Sequence, residues 1–62
     1  MNIEKIEELM YEKGIKAAQI AKETGVPNST ISRIVNGEIP DPRVSLAAGI
    51  AKVLEVQIEE II

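Results

Sequence analysis

Residues 17–36 read AAQIAKETGVPNSTISRIVN, and the punctuation of this stretch decides the fold. Ala17 to Thr24 consists of good helix formers with Ala17, Ile20 and Ala21 on one face, and Gly25 ends the segment. Beyond Val26 and Pro27, the run Asn28, Ser29, Thr30 offers several N-caps, and Ile31, Ile34 and Val35 then repeat at helical spacing until Asn36-Gly37 breaks the pattern. Two short helices joined by a tight, glycine-containing turn are therefore predicted. The small and apolar positions answer to packing. Ala21 must be small where the helices cross, Gly25 can take a positive φ, and Ile20, Val26, Ile31 and Ile34 fill the wedge between them. What remains on the outside of the second helix is Asn28, Ser29, Thr30, Ser32 and Arg33, which are small hydrogen-bonding side chains and one guanidinium. Such a surface suits the polar edges of bases.

Working outward, Ile3, Ile6, Leu9 and Met10 recur at three-to-four spacing and predict a helix over residues 2–13, with Gly14 as its stop. On the other side, Glu38-Ile39-Pro40 cannot be helical in its middle, and Asp41 before Pro42 reads as an N-cap followed by proline in the first turn. The helix that follows is expected to reach about Leu54 and to bury Val44, Leu46, Ala47, Ile50, Ala51 and Leu54. The tail fits two periods. Leu54, Val56 and Ile58 alternate with polar residues as a strand would, whereas Ile50, Leu54, Ile58 and Ile61 form a helical stripe. A strand would have no hairpin partner, so a short fifth helix near 57–62 is expected. The fold class is all-α, with four or five short helices in one domain spanning residues 1–62.

Composition bounds the function. The 62 residues contain no Cys and no His, which removes thiolate and imidazole chemistry, zinc fingers and disulfides, so no metal, cofactor or catalytic role is expected. No apolar run approaches the roughly 18 residues of a membrane span, and acidic helical sequence follows Met1 where a signal peptide would be basic and then apolar; a cytoplasmic location and no membrane partner are expected. The formal net charge is −3, which disfavours unselective binding to nucleic acid. Its distribution is uneven. Residues 1–13 sum to −2 and residues 44–62 to −2, while residues 14–43 carry Lys16, Lys22, Arg33 and Arg43 against Glu23, Glu38 and Asp41 and sum to +1. One face only could meet a polyanion.

The segments Gly14-Ile15, Gln19-Ile20-Ala21, Thr24-Gly25-Val26, Ser29-Thr30-Ile31-Ser32-Arg33-Ile34, Asn36-Gly37, Pro42 and Ile50-Ala51-Lys52-Val53-Leu54 together resemble the helix-turn-helix domains of phage repressors and Cro proteins, the xenobiotic-response-element type of bacterial regulator. The resemblance covers roughly residues 5–62. It implies a compact lambda-repressor-like bundle whose third helix lies in the major groove of double-stranded DNA. By position, Asn28, Ser29 and Arg33 resemble the base-reading sites, while Lys16, Thr30, Ser32, Asn36 and Arg43 resemble sites that meet phosphate or support the readers. The chemistry agrees, since arginine pairs bidentately with guanine and asparagine with adenine. Each also has a plainer role: Asn28 could simply cap a helix, Arg33 could be a solvated cation near a helix end, Asn36 could serve only as a stop, and Arg43 could be an ordinary surface residue.

The sequence departs from the family at several places. Ala17 stands where a phosphate-anchoring glutamine is common, and Lys16 replaces the usual Ser or Thr cap. Glu55 stands where glycine is common and Gln57 where a capping serine is, and both changes are expected to favour continued helix. Met10 and Val35 occupy positions where relatives pair a buried arginine with a glutamate, and replacing both partners by hydrocarbon is often neutral or stabilising. The expected function is that of a sequence-specific DNA-binding transcriptional regulator, a repressor. The alternative is a protein-interaction module on the same scaffold with little DNA affinity. Operators for such folds present two half-sites, so a weak homodimer assembled on DNA is expected, with surplus apolar surface from Ile58, Ile61 and Ile62 at its interface.

Overall fold

A computed structural model describes residues 1–39 and 42–62. It holds four α-helices and a terminal 3₁₀ turn: α1 (Ile3–Lys13), α2 (Ala17–Thr24), α3 (Asn28–Val35), α4 (Val44–Leu54) and the turn Ile58–Glu60. The all-α, four-helix arrangement agrees with the periodicity of the chain.

The helix ends follow local chemistry. Asn2 caps α1 by accepting a hydrogen bond from the Lys5 N–H at 3.0 Å, and Gly14 closes it at φ 65°. The Ile15 N–H then donates back to the Met10 carbonyl at 2.9 Å, so the chain reverses without leaving those groups unpaired. α2 starts at Lys16 with no side-chain cap and ends at Gly25, φ 75°, whose N–H donates to the Ala21 carbonyl at 2.9 Å.

The core is aliphatic throughout. Ile6, Ile20, Ile31, Ile34, Leu54 and Ile61 are fully buried, Ile50, Ala51 and Leu9 nearly so, and among the described residues no polar or charged one is buried with them. Burial of one such side chain stabilises by about 1.5–3 kcal/mol, and in a chain near the lower size limit for a single core every one of them counts. α2 packs mainly on α3 and also on α4, while α1 lies across α3 and α4. Gly49 permits the α2–α4 approach, because a Cβ there would lie 3.3 Å from the Thr24 methyl group.

Several boundaries differ from expectation. The expected Asp41 cap lies outside the described residues. α4 itself begins at Val44 with Arg43 as its N-cap, so Pro42 precedes the helix and is not part of its first turn. Val44 is 77% exposed, not buried, because it lies one turn beyond the end of the core face made by Ala47, Ile50, Ala51 and Leu54, and Leu46 is only half-buried. Met10 and Val35 both pack against the core but are half-buried, so the site is a core margin and not a deeply buried pair.

The expectation that Glu55 and Gln57 prolong helix is corrected. α4 stops at Leu54 because Glu55 adopts φ 60°, and the Glu55 and Val56 N–H groups donate back to the Lys52 and Ala51 carbonyls. The fifth helix shrinks to the 3₁₀ turn, in which the Glu60 carboxylate accepts from the Gln57 N–H at 3.1 Å. The cause is tertiary: the bend returns Ile61 to the core, where its carbonyl accepts from the Asn2 N–H at 2.6 Å and ties the two ends of the chain together. Of the three terminal isoleucines, Ile61 closes the core, Ile58 is half-buried and Ile62 stays 66% exposed.

Glu55 is the one non-glycine residue with positive φ among the described residues. A left-handed conformation costs an L-residue about 1–2 kcal/mol, partly offset in glycine by backbone entropy. Glu55→Gly is therefore expected to raise stability by about 0.5–1 kcal/mol, read as a higher urea midpoint at unchanged slope.

Candidate nucleic-acid interface

The outward strip of α3 is set by what the same helix buries. Ile31 and Ile34 are fully buried against Ile20 of α2, with Val26 and Ala21 half-buried beside them, which fixes the rotation of α3 about its axis. With that rotation fixed, residues 29, 33 and 36 follow one another at i, i+4 and i+7, and residues 28 and 32 run alongside. Asn28, Ser29, Arg33 and Asn36 are exposed, and Ser32 is half-buried. Thr30 is also half-buried and lies at the border between this strip and the buried face. Eight residues rise about 12 Å, close to the width of the major groove.

The turn that presents α3 is fastened at both ends. The Thr24 hydroxyl donates to the Ile20 carbonyl at 2.7 Å and accepts from the Val26 N–H at 3.4 Å, across the left-handed Gly25. Sequence reasoning gave Thr24 no such role. The available signal was a threonine directly before the helix-ending glycine, a position from which a hydroxyl reaches the carbonyl four residues back. A second unforeseen contact, from the Gln19 amide to the Glu23 carboxylate at 3.1 Å, holds two exposed side chains of α2 to each other.

The N-terminus of α3 corrects the expected capping. None of Asn28, Ser29 and Thr30 is the N-cap: that position is Pro27, at φ −55° and ψ 140°, and no side chain closes the helix. The Pro27 carbonyl accepts from the Thr30 and Ile31 N–H groups at 3.0 and 3.2 Å. Proline has no N–H to satisfy and its ring fixes a φ suited to helix entry, so the helix starts one residue earlier than a side-chain cap would allow. Asn28 and Ser29 thus become the first exposed residues of α3, with side chains not spent on capping.

The remaining candidates stand at other helix starts. Lys16 is exposed as the N-cap residue of α2, and Arg43 is exposed as the N-cap residue of α4; neither makes a side-chain capping bond. Asn36 ends α3, and its N–H donates to the Ser32 carbonyl at 2.9 Å. The structure thus brings Asn28, Ser29, Ser32, Arg33 and Asn36 onto one strip, sets Thr30 at its border, and places Lys16 and Arg43 at the starts of α2 and α4.

Among the described residues no group of three or more Asp, Glu, His or Cys side chains could hold a metal ion. No helix among them is long and apolar enough to cross a membrane. Residues 5–62 match the family model of the Cro/C1-type HTH DNA-binding domain. Comparison with curated proteins and with solved structures gives no significant match.

Two asparagines separate capping from exposure. Asn2→Ala, which removes a formed cap, is expected to cost about 1 kcal/mol, whereas Asn28→Ala should change stability by less than about 0.5 kcal/mol. Urea denaturation of the two variants checks this, and equal losses would restore Asn28 to the capping role.

Proposed function

The chain belongs to the Cro/C1-type helix-turn-helix DNA-binding domains, and from that premise we propose that it is a transcriptional repressor which reads a specific double-stranded site by laying α3 in the major groove. It is a DNA-binding domain. The observation that carries the finer reading is the strip on α3, in which Asn28, Ser29 and Arg33 are exposed on a helix whose opposite face is locked by Ile31 and Ile34. In this reading Arg33 pairs with the O6 and N7 of a guanine, Asn28 with an adenine edge, and Ser29 reads less strictly. Lys16, Arg43, Thr30, Ser32 and Asn36 meet phosphate or orient the readers. Ala17 supplies no donor for a phosphate, so Lys16 acts as a point charge in place of an amide. Its work is done in the cytoplasm, where such DNA lies.

Two copies are required. The longest dimension of the domain is 23 Å, less than the roughly 34 Å between the centres of successive half-sites on one face of a duplex. Ile62 at 66% exposure and Val44 at 77% exposure supply apolar surface, yet each is a single side chain, which supports a weak dimer that forms on DNA and not before it.

Binding selection from random duplex DNA, followed by salt titration, tests the function. Arg33→Ala is expected to cost about 1–3 kcal/mol and to relax preference at one base pair, whereas Lys16→Ala or Arg43→Ala should weaken all sequences alike and reduce the salt slope by about one unit. Uniform loss from Arg33→Ala would remove it from the reading set. Sedimentation of the free protein and of its complex with a two-half-site duplex tests assembly. A monomer alone and two copies per duplex are expected, and one copy at saturation on a palindromic site would refute the dimer.

A further inference from the structure

α1 turns Ile6 and Leu9 into the core and leaves Glu4, Glu7, Glu8, Tyr11 and Glu12 exposed on its outer side. Tyr11 is the only aromatic residue of the chain, and it is 90% exposed. An aromatic ring offers the largest apolar area a small domain can bury, yet this core is closed with aliphatic side chains and the ring is left in water. Beside it Gly14 contributes no side chain, and a hollow of about 260 Å³ opens between Met10, Tyr11, Gly14, Ile15 and Lys16. Glu7 and Glu8 stand one helical turn before Tyr11, at i−4 and i−3, so their carboxylates and the ring share one patch.

We propose that this face of α1 docks a second protein through a segment in which an arginine or lysine stands next to an aliphatic side chain. The chemistry is complementary at each point. A guanidinium over the Tyr11 ring is attracted by the ring quadrupole, and the Glu7 and Glu8 carboxylates are placed to accept charge-assisted hydrogen bonds from it. The neighbouring aliphatic side chain fills the hollow over Met10 and Ile15. DNA is a poorer occupant of the same face, because the exposed charges of α1 are Glu4, Glu7, Glu8 and Glu12 against Lys13, and their net sign repels phosphate. The proposal does not rest on α3 reading DNA. Where α3 does so, the partner face lies on a different helix, and Lys16, which lines the hollow, is the residue that the two faces share.

The test uses the 62-residue chain, a short synthetic peptide bearing arginine and leucine, and an acidic counterpart with glutamate in place of arginine. In ¹⁵N-resolved titrations the basic peptide is expected to move amide signals between Glu7 and Lys16, and the acidic peptide none. Tyr11→Ala and the double variant Glu7→Gln/Glu8→Gln should each weaken binding about fivefold to tenfold, while Tyr11→Phe, which keeps the ring, should bind as the parent does. Circular dichroism confirms that each variant is folded, as the exposure of these positions leads one to expect. Shifts spread over Glu55, Glu59 and Glu60, or binding indifferent to Tyr11→Ala, would reduce the effect to unselective charge and overturn the proposal. Loss of DNA affinity in Tyr11→Ala without peptide binding would assign the ring to the nucleic-acid interface. Concentration-dependent self-association abolished by Tyr11→Ala, again without peptide binding, would assign it to a second copy; either result overturns the docking of a second protein.

Discussion

The contact on which the molecule depends is the packing of Ile31 and Ile34 of α3 against Ile20 of α2, around a turn that Gly25 closes in the left-handed conformation. Neither helix is long enough to persist alone, since eight residues fall short of the roughly 12–15 at which isolated helices become even marginal in water. Each is therefore a tertiary object, held in register by three isoleucines without any buried polar group to specify it. The same contact orients the exposed strip. Rotating α3 by one residue would turn about 100° of its surface, carry Arg33 off the strip and bring Ile34 into water. Burial of hydrocarbon on one side thus determines the direction of every polar group on the other.

This dependence explains what could be read from the sequence and what could not. The spans of α2 and α3 were legible because apolar period and glycine punctuation agree there, and Asn28, Ser29 and Arg33 could be assigned to the outside once Ile31 and Ile34 were assigned to the inside. The cap of α3 was misread because the residue-type rule favours Asn or Ser, while a proline one position earlier already has the right φ and no donor to satisfy. Propensity misled again at Glu55. Locally, glutamate prolongs a helix, but the bend at Glu55 returns Ile61 to the core, and burying it outweighs the cost of one left-handed residue. Thr24 escaped notice for the opposite reason: its two hydrogen bonds are local, and nothing in hydrophobic periodicity signals them.

Charge poses the remaining difficulty, since a net −3 sits awkwardly with a DNA-binding family. The quantity that matters is the local sum. At physiological salt the screening length is about 8 Å, whereas the domain is 19 Å across at its thinnest. On the proposed reading, a phosphate beside α3 feels Arg33 of the same helix most, and charges more than a screening length away little. The glutamates between α1 and Glu55 are Glu23 of α2, whose carboxylate accepts from the Gln19 amide, and Glu38 just after α3, whose N–H donates to the Arg33 carbonyl.

The acidic surfaces then have a consequence for orientation. A uniformly basic domain would be attracted to duplex DNA in any pose, and most of its encounters would be unproductive. In this chain all nine described glutamates are exposed, seven of them lie on α1 or from Glu55 to Glu60, and none lies on α3. Approach by those surfaces is repelled, so the favourable approaches are those that bring α3 forward. On the proposed reading, the net affinity forgone is sequence-independent, and the affinity retained would come from groups that can distinguish one base pair from another. On this argument an acidic domain with one neutral-to-basic helix strip is a consistent physical solution for selective binding, with weak attachment of single copies as its necessary cost.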